Sequence, residues 1–131
     1  MLNQVTNCDF VQLNRAAQDY AYSLASGKSK RRTEHGQNLF WFSGFSLPPD
    51  EAVRKAVNEW FNAKSVYNWR DRLTSPTAAN SFSQLVWKAS RKIGIGVATK
   101  RNGNVVVALY GPPGNILSEK AFFENVAPDV Q

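Results

Sequence analysis

Histidine and cysteine are nearly absent from this sequence. Among 131 residues, His35 is the one imidazole and Cys8 the one thiol. A single cysteine excludes an intrachain disulfide framework and any multi-cysteine zinc site. A single histidine excludes His-paired metal sites and catalytic arrangements that need a second imidazole. Long apolar runs are missing too, since no stretch approaches the roughly 18 residues of a membrane-spanning helix. Residues 1–10 (MLNQVTNCDF) carry neither a basic segment nor an apolar run, so no secretory signal is visible. A lone thiol without a signal fits a reducing compartment, and the expected location is cytoplasmic. The alternative is an extracellular chain whose signal has been removed. Repeats and low-complexity segments are also lacking, and 1–131 reads as one domain.

What is present is apolar material and positive charge. Hydrophobic residues make up 43% of the chain, enough to build a core without staples. Sixteen Lys and Arg against ten Asp and Glu leave a formal charge of +6. One cluster is Lys28, Lys30, Arg31 and Arg32; another is Lys88, Arg91, Lys92, Lys100 and Arg101. Such patches either keep a domain soluble or meet an anionic partner.

Period separates the chain into a helical part and a strand part. Leu13, Ala16, Ala17, Tyr20, Ala21 and Leu24 recur at three and four, which predicts an amphipathic helix over Val11–Leu24. Residues 1–10 are expected to be loose, with Cys8 passive among them. Pro48 and Pro49 introduce a second helix with Val53, Ala56, Val57, Trp60 and Phe61 inward. A third is expected over Ser81–Arg91. From Ile93 the period falls to two, with Gly94 and Gly96 giving the strand one very small face. Asn102–Gly103 predicts a type I′ turn, and Val105–Tyr110 returns as a central strand. Ala121–Val126 reads as an edge strand. Helices followed by an antiparallel hairpin predict a layered α+β domain, the glycines letting a helix pack closely.

Three ordered motifs carry a resemblance. They are Ser81-Phe-Ser-Gln-Leu-Val-Trp-Lys88, Ile93-Gly-Ile-Gly-Val97 and Tyr110-Gly-Pro-Pro-Gly-Asn-Ile116. With Leu13–Tyr20, Gly36-Gln-Asn-Leu39, Trp60-Phe61, Tyr67-Asn68 and Phe122–Val126, they resemble the CAP superfamily from about residue 10 to 128. This family, whose domain is also called SCP, includes cysteine-rich secretory proteins, antigen-five allergens and plant pathogenesis-related proteins. The ending is most similar to its cysteine-poor, Golgi-associated branch. The resemblance implies an α-β-α sandwich around a small antiparallel sheet. It also implies a helix before Val11, for which this chain has almost no room. A layer lacking that helix is expected to expose apolar surface.

The family's cavity holds two histidines and two acidic residues, and several members bind a divalent metal there. Carried over one by one, the first acidic position is Gln37, the second is Ala63 and the second histidine is Ser81. The first histidine belongs in the shortened loop before Gly36, and His35 is out of register. A carboxamide, a methyl and a hydroxyl do not make a zinc site, which needs three or four converging donors. No metal or other cofactor is therefore expected.

Candidate catalytic groups read better as structure. His35 beside Glu34 has the look of a base and its orienter, but sits in a basic, solvated loop. Glu59, one turn before Ala63, is read as a surface charge. Ser81 lacks an imidazole to activate it and is read as a helix cap. The expected function is a non-enzymatic CAP binding module for anionic phospholipid surfaces or a protein partner, with a homodimer among the options the resemblance implies. Its expected place is peripheral, on Golgi or other endomembranes. Candidate lipid contacts are Lys28, Lys30, Arg31, Arg32, Arg70, Arg72, Lys88, Arg91 and Lys92, with Tyr67 and Trp69 as interfacial aromatics. Weighed against this are a secreted defence- or allergen-like role, a hydrolase or protease using His35, Glu59 or Ser81, and weak nucleic-acid binding. The last lacks a stacking platform or recognition helix.

Overall fold

The computed structural model describes residues 2–28 and 34–128, with side chains from Leu13 onward. Lys30, Arg31 and Arg32 therefore lie outside the described residues, as does part of the shortened loop. The elements are α1 (Leu2–Ala25), β1 (Gly36–Ser43), α2 (Pro49–Asn62), α3 (Asn80–Val86), β2 (Lys92–Lys100), β3 (Gly103–Gly111) and α4 (Glu119–Asn125). Three short 3-10 turns, Ala63–Val66, Arg72–Thr74 and Thr77–Ala79, connect α2 to α3.

The sheet is antiparallel with order β1-β3-β2, so the apolar strand Val105–Tyr110 is central as expected. Its side chains alternate between two helical layers. Val105, Val107 and Leu109 face α1 with Leu13, Ala17, Tyr20, Ala21 and Leu24. Val106, Ala108 and Tyr110 face α2 with Ala52, Ala56 and Trp60. Fully burying such side chains contributes about 1.5–3 kcal/mol each for the larger ones, and this sandwich is the main source of stability. A third cluster, Tyr67, Ala79, Phe82, Trp87, Phe122 and Val126, closes one end.

The small face of β2 does what its pattern implies. A Cβ at Gly94 or Gly96 would run into the Leu13 or Ala17 backbone, so α1 lies directly on the strand. Side chains of α1 then complete the strand's outer edge. Gln18 Nε2 donates to the Val97 carbonyl at 2.6 Å, and its Oε1 accepts from Val97 N at 3.0 Å. Asn14 Oδ1 accepts from Ile95 N at 3.0 Å. Carboxamides carry the same donor and acceptor pair as a peptide, so they imitate a fourth strand.

Several expectations are corrected. The first helix begins at Leu2, so the backbone around Cys8 is helical rather than loose. Gly36–Ser43 is a strand that the period analysis passed over. The third helix ends at Val86, because Trp87 takes extended backbone angles (φ −61°, ψ 117°), leaving Lys88 and Arg91 on a turn. Residues 119–125 form α4 and not an edge strand, since Ser118 caps the Ala121 amide. Phe61 is 44% exposed instead of inward. The hairpin turn is Arg101–Asn102, as Lys100 pairs with Gly103. Neither Asn102 nor Gly103 has positive φ, so the turn is not type I′. Gly103 is required by the Phe42 carbonyl, which a Cβ would strike.

Candidate functional site

The start of β1, α3 and the 111–115 loop meet at one end of the sheet. Their junction is organised around Gln84, which is 2% exposed. Its Oε1 accepts from Gly114 N at 3.0 Å and its Nε2 donates to Ser90 Oγ at 3.1 Å. Ser90 Oγ in turn donates to the Pro112 carbonyl at 2.7 Å. Ser83 Oγ donates to Asn115 Oδ1 at 2.6 Å, and Asn115 Nδ2 donates to the Asn80 carbonyl at 3.0 Å. Asn115 holds a left-handed backbone (φ 54°), a conformation asparagine tolerates better than most residues. Gly36 and Gly114 both lack side chains where a Cβ would collide with Gln84. The loop is thereby tied to α3 from three residues.

Above this clamp lies a cleft of about 500 Å³ lined by Glu34, His35, Gly36, Gln37, Gln84, Pro113, Gly114 and Asn115. Glu34 and His35 also form a wall of a neighbouring cleft with Leu13, Ala16 and Lys92. His35 thus belongs to the site although it is out of register with the family's histidine. Beside Gln37, Asn38 is buried and donates from Nδ2 to the Ser81 carbonyl at 3.0 Å and to the Tyr110 hydroxyl at 3.2 Å. Burial pushes the Tyr110 phenol up to about 12, with the Asn38 hydrogen bond opposing in part.

The carried-over positions are placed as follows. Gln37 is half-buried on the cleft wall, and Ser81 is tied to its neighbour Asn38. Ala63 is half-buried against the Tyr67–Phe82 cluster, not on the cleft lining. Ser81 Oγ points to the Ala78 carbonyl at 3.4 Å and does not cap α3, whose N-cap is Ala79. Neither its proton nor that of Ser83 is directed to an imidazole, so no nucleophile–base pair is assembled from these serines. Glu59 is exposed on α2. Among the described residues, no three of His, Cys, Asp and Glu converge. The carboxamides, hydroxyl and methyl at the family positions do not fit a divalent ion, which needs anionic or imidazole donors. Alongside Glu34 and His35 at its wall, the cleft offers hydrogen bonding from the carboxamides of Gln37, Gln84 and Asn115.

The basic candidates separate by exposure. Lys28, Arg70, Lys88 and Arg91 are exposed, and Lys92 is half-buried. Arg72 is only 8% exposed: its guanidinium lies 5.5 Å from the Trp69 ring and 5.2 Å from the Phe123 ring, and reaches the Val126 carbonyl at 3.5 Å. It is a packing residue and leaves the list of surface contacts. Tyr67 is 5% exposed inside the same aromatic group and is no interfacial residue either. Its phenol is raised by burial, with Arg72 opposing. The residues that sequence reasoning passed over are Asn38 and Asn115, each within a motif but without a charge to single it out.

The sandwich and these motifs define a CAP domain. A model of the cysteine-rich secretory protein family matches residues 11–110, and the chain belongs to that family. Among curated proteins, it is 36% identical over 124 residues to the human Golgi-associated plant pathogenesis-related protein 1, covering 88% of this chain and 76% of that one. It is 30% identical over 91 residues to pathogenesis-related protein PR-1 of Medicago truncatula, covering 67% of this chain and 50% of that one. The solved structure of BmVAL-1 superposes with a TM-score of 0.68 at 26% identity, over 81% of this chain and 58% of that one. This chain therefore spans about half of the Medicago relative and somewhat more of BmVAL-1. No described helix is long and apolar enough to cross a membrane.

Proposed function

We propose that this chain is a CAP-domain binding module without a catalytic or metal centre, attached peripherally to anionic lipid membranes. Its cytoplasmic site would be the surface of Golgi or other endomembranes, in line with the human Golgi-associated relative. The observation that carries the reading is charge left in solvent. Lys28, Arg70, Lys88, Lys100, Arg91 and Arg101 are all exposed on a chain of net charge +6. Near an anionic bilayer each such cation contributes on the order of 1 kcal/mol, and the attraction falls off within a Debye length. The absence of fitting metal ligands at Gln37, Ala63 and Ser81 supports binding over hydrolysis.

Co-sedimentation with phosphatidylcholine vesicles, with and without a phosphoinositide, tests this at low and physiological salt. Binding that requires the anionic lipid and weakens with salt is expected. Equal recovery on neutral vesicles, or none on either, overturns the reading. A protein partner, including a second copy of the chain, is the second reading. Exposed Ile116, Leu117 and Phe123 favour it, at 55%, 86% and 71% exposure. Sedimentation velocity distinguishes a homodimer from a monomer.

A further inference from the structure

The two ends of β2 both carry cations, but they differ in what surrounds them. At the entry end, Lys88 and Arg91 are exposed on the turn before half-buried Lys92. At the exit end, Lys100 and Arg101 are exposed at the β2–β3 hairpin. There they line a cleft of about 450 Å³ together with Trp41, Phe42, Ser43, Asn102, Gly103, Asn104 and Val105. Trp41 is 55% exposed, the most exposed of the four tryptophans; Trp60 and Trp87 are each 3% exposed and Trp69 is half-buried. Phe45, just past β1, is 61% exposed and meets Phe42 edge-on with ring centroids 5.1 Å apart. Lys55 places its ammonium 5.3 Å from the Phe42 ring on the α2 side.

A further cation belongs to the same end. Gln18 is bonded to Val97, and α1 advances in the direction of β2, from Leu13 at Gly94 to Ala17 at Gly96. From that contact, seven helical residues and three strand residues each cover roughly 10 Å, which brings Ala25 level with Lys100. Lys28 closes that helix end, its backbone N donating to the Ser23 carbonyl at 3.1 Å. The cleft lining itself contains no acidic side chain. Asp50 and Glu51 open α2 beyond Leu47, whose backbone Asn104 holds at 2.8 and 3.1 Å.

We propose that this hairpin end is the membrane-docking face: Trp41 and Phe45 sit at headgroup level of an anionic bilayer, and Lys28, Lys100 and Arg101 meet its phosphates. Indole and phenyl rings beside cations suit the interface, because the ring leaves water while the charge remains with the headgroups. Charge complementarity selects an anionic bilayer as the occupant, and the exposed aromatics give this end a depth of contact. This inference rests on the membrane reading above and names the surface that performs it.

The test uses the whole chain and vesicles of phosphatidylcholine with phosphatidylinositol phosphate. Lys100→Glu/Arg101→Glu is expected to lower vesicle partitioning by about tenfold or more, whereas Lys88→Glu/Arg91→Glu lowers it by less than about threefold. In vesicles with brominated acyl chains, tryptophan emission of the wild type is quenched, and Trp41→Phe abolishes most of that quenching. The quenching measurement needs no charge-reversed variant, so it decides the matter even if that variant folds poorly. If the wild type ignores anionic vesicles, the membrane reading itself fails. If it binds them but the 88/91 pair matters as much as the 100/101 pair, or Trp41 is not quenched, only the docking face is overturned.

Discussion

At the scale of single residues, the site depends on side chains that are missing as much as on those present. Gly36 and Gly114 leave room for Gln84, and a methyl at either would strike its carboxamide. Gly36→Ala is expected to lower stability by about 1–3 kcal/mol, read from the midpoint of urea unfolding. Tyr67→Phe is the contrasting case. The Tyr67 hydroxyl is buried without a hydrogen-bond partner, so removing it should change stability by less than about 0.5 kcal/mol. Tyr110 adds a dependence on pH. Its folded pKa of about 12 lies above the ordinary 10.0, so the unfolded chain loses this proton first as pH rises. The contribution is complete below pH 10 and is lost progressively as pH rises toward 12, amounting to roughly 2–3 kcal/mol. Unfolding midpoints across that window should fall more steeply for the wild type than for Tyr110→Phe.

At the scale of elements, the seam between α1 and β2 has a specific chemistry. Gln18 satisfies both backbone groups of Val97, which are otherwise left at the outer edge of the sheet. Gln18→Ala is expected to cost about 1–3 kcal/mol, while Asn58→Ala on exposed α2 stays within about 0.5 kcal/mol by thermal melts. The helical period of α1 and the alternation of β2 were legible because each element buries one clean face. β1 was not, since Leu39 joins the α1 layer and Phe40 the α2 layer, which erases the period of two. The segment around Phe122 misled for another reason: aromatic and β-branched residues suggested a strand, while one Ser118 hydrogen bond starts a seven-residue helix. Of the candidate site, Gln37 and Ser81 could be located from their motifs. The Gln84 clamp could not, because it arises from two glycines 78 residues apart approaching one carboxamide in space.

For the whole molecule, Gln37 lies on β1, Ala63 follows α2 and Ser81 lies on α3, and none of the three side chains is a strong donor for a divalent ion. Zinc titration of the purified chain is expected to leave Tm unchanged, as no stabilising linkage arises without a site. A stoichiometric, zinc-dependent rise in Tm would contradict this. The same scale explains why surface charge is the stronger pointer to a partner: the cleft joins one carboxylate and one imidazole to carboxamides, while exposed cations stand at both ends of β2.

The carboxamide seam also sets an order of events during synthesis. Gln18 and Val97 are 79 residues apart, and β3, which supplies Val105, Val107 and Leu109 to the α1 layer, comes later still. At a ribosomal pace of about 5–20 residues per second, the apolar face of α1 waits roughly 4–16 s for its sheet. A nascent chain stopped before Lys92 has a finished first helix but lacks both β2 and β3, the strands that carry Gly94, Gly96, Val105, Val107 and Leu109 against it. The last third of the polypeptide, rather than the first, is what commits this domain to its folded state.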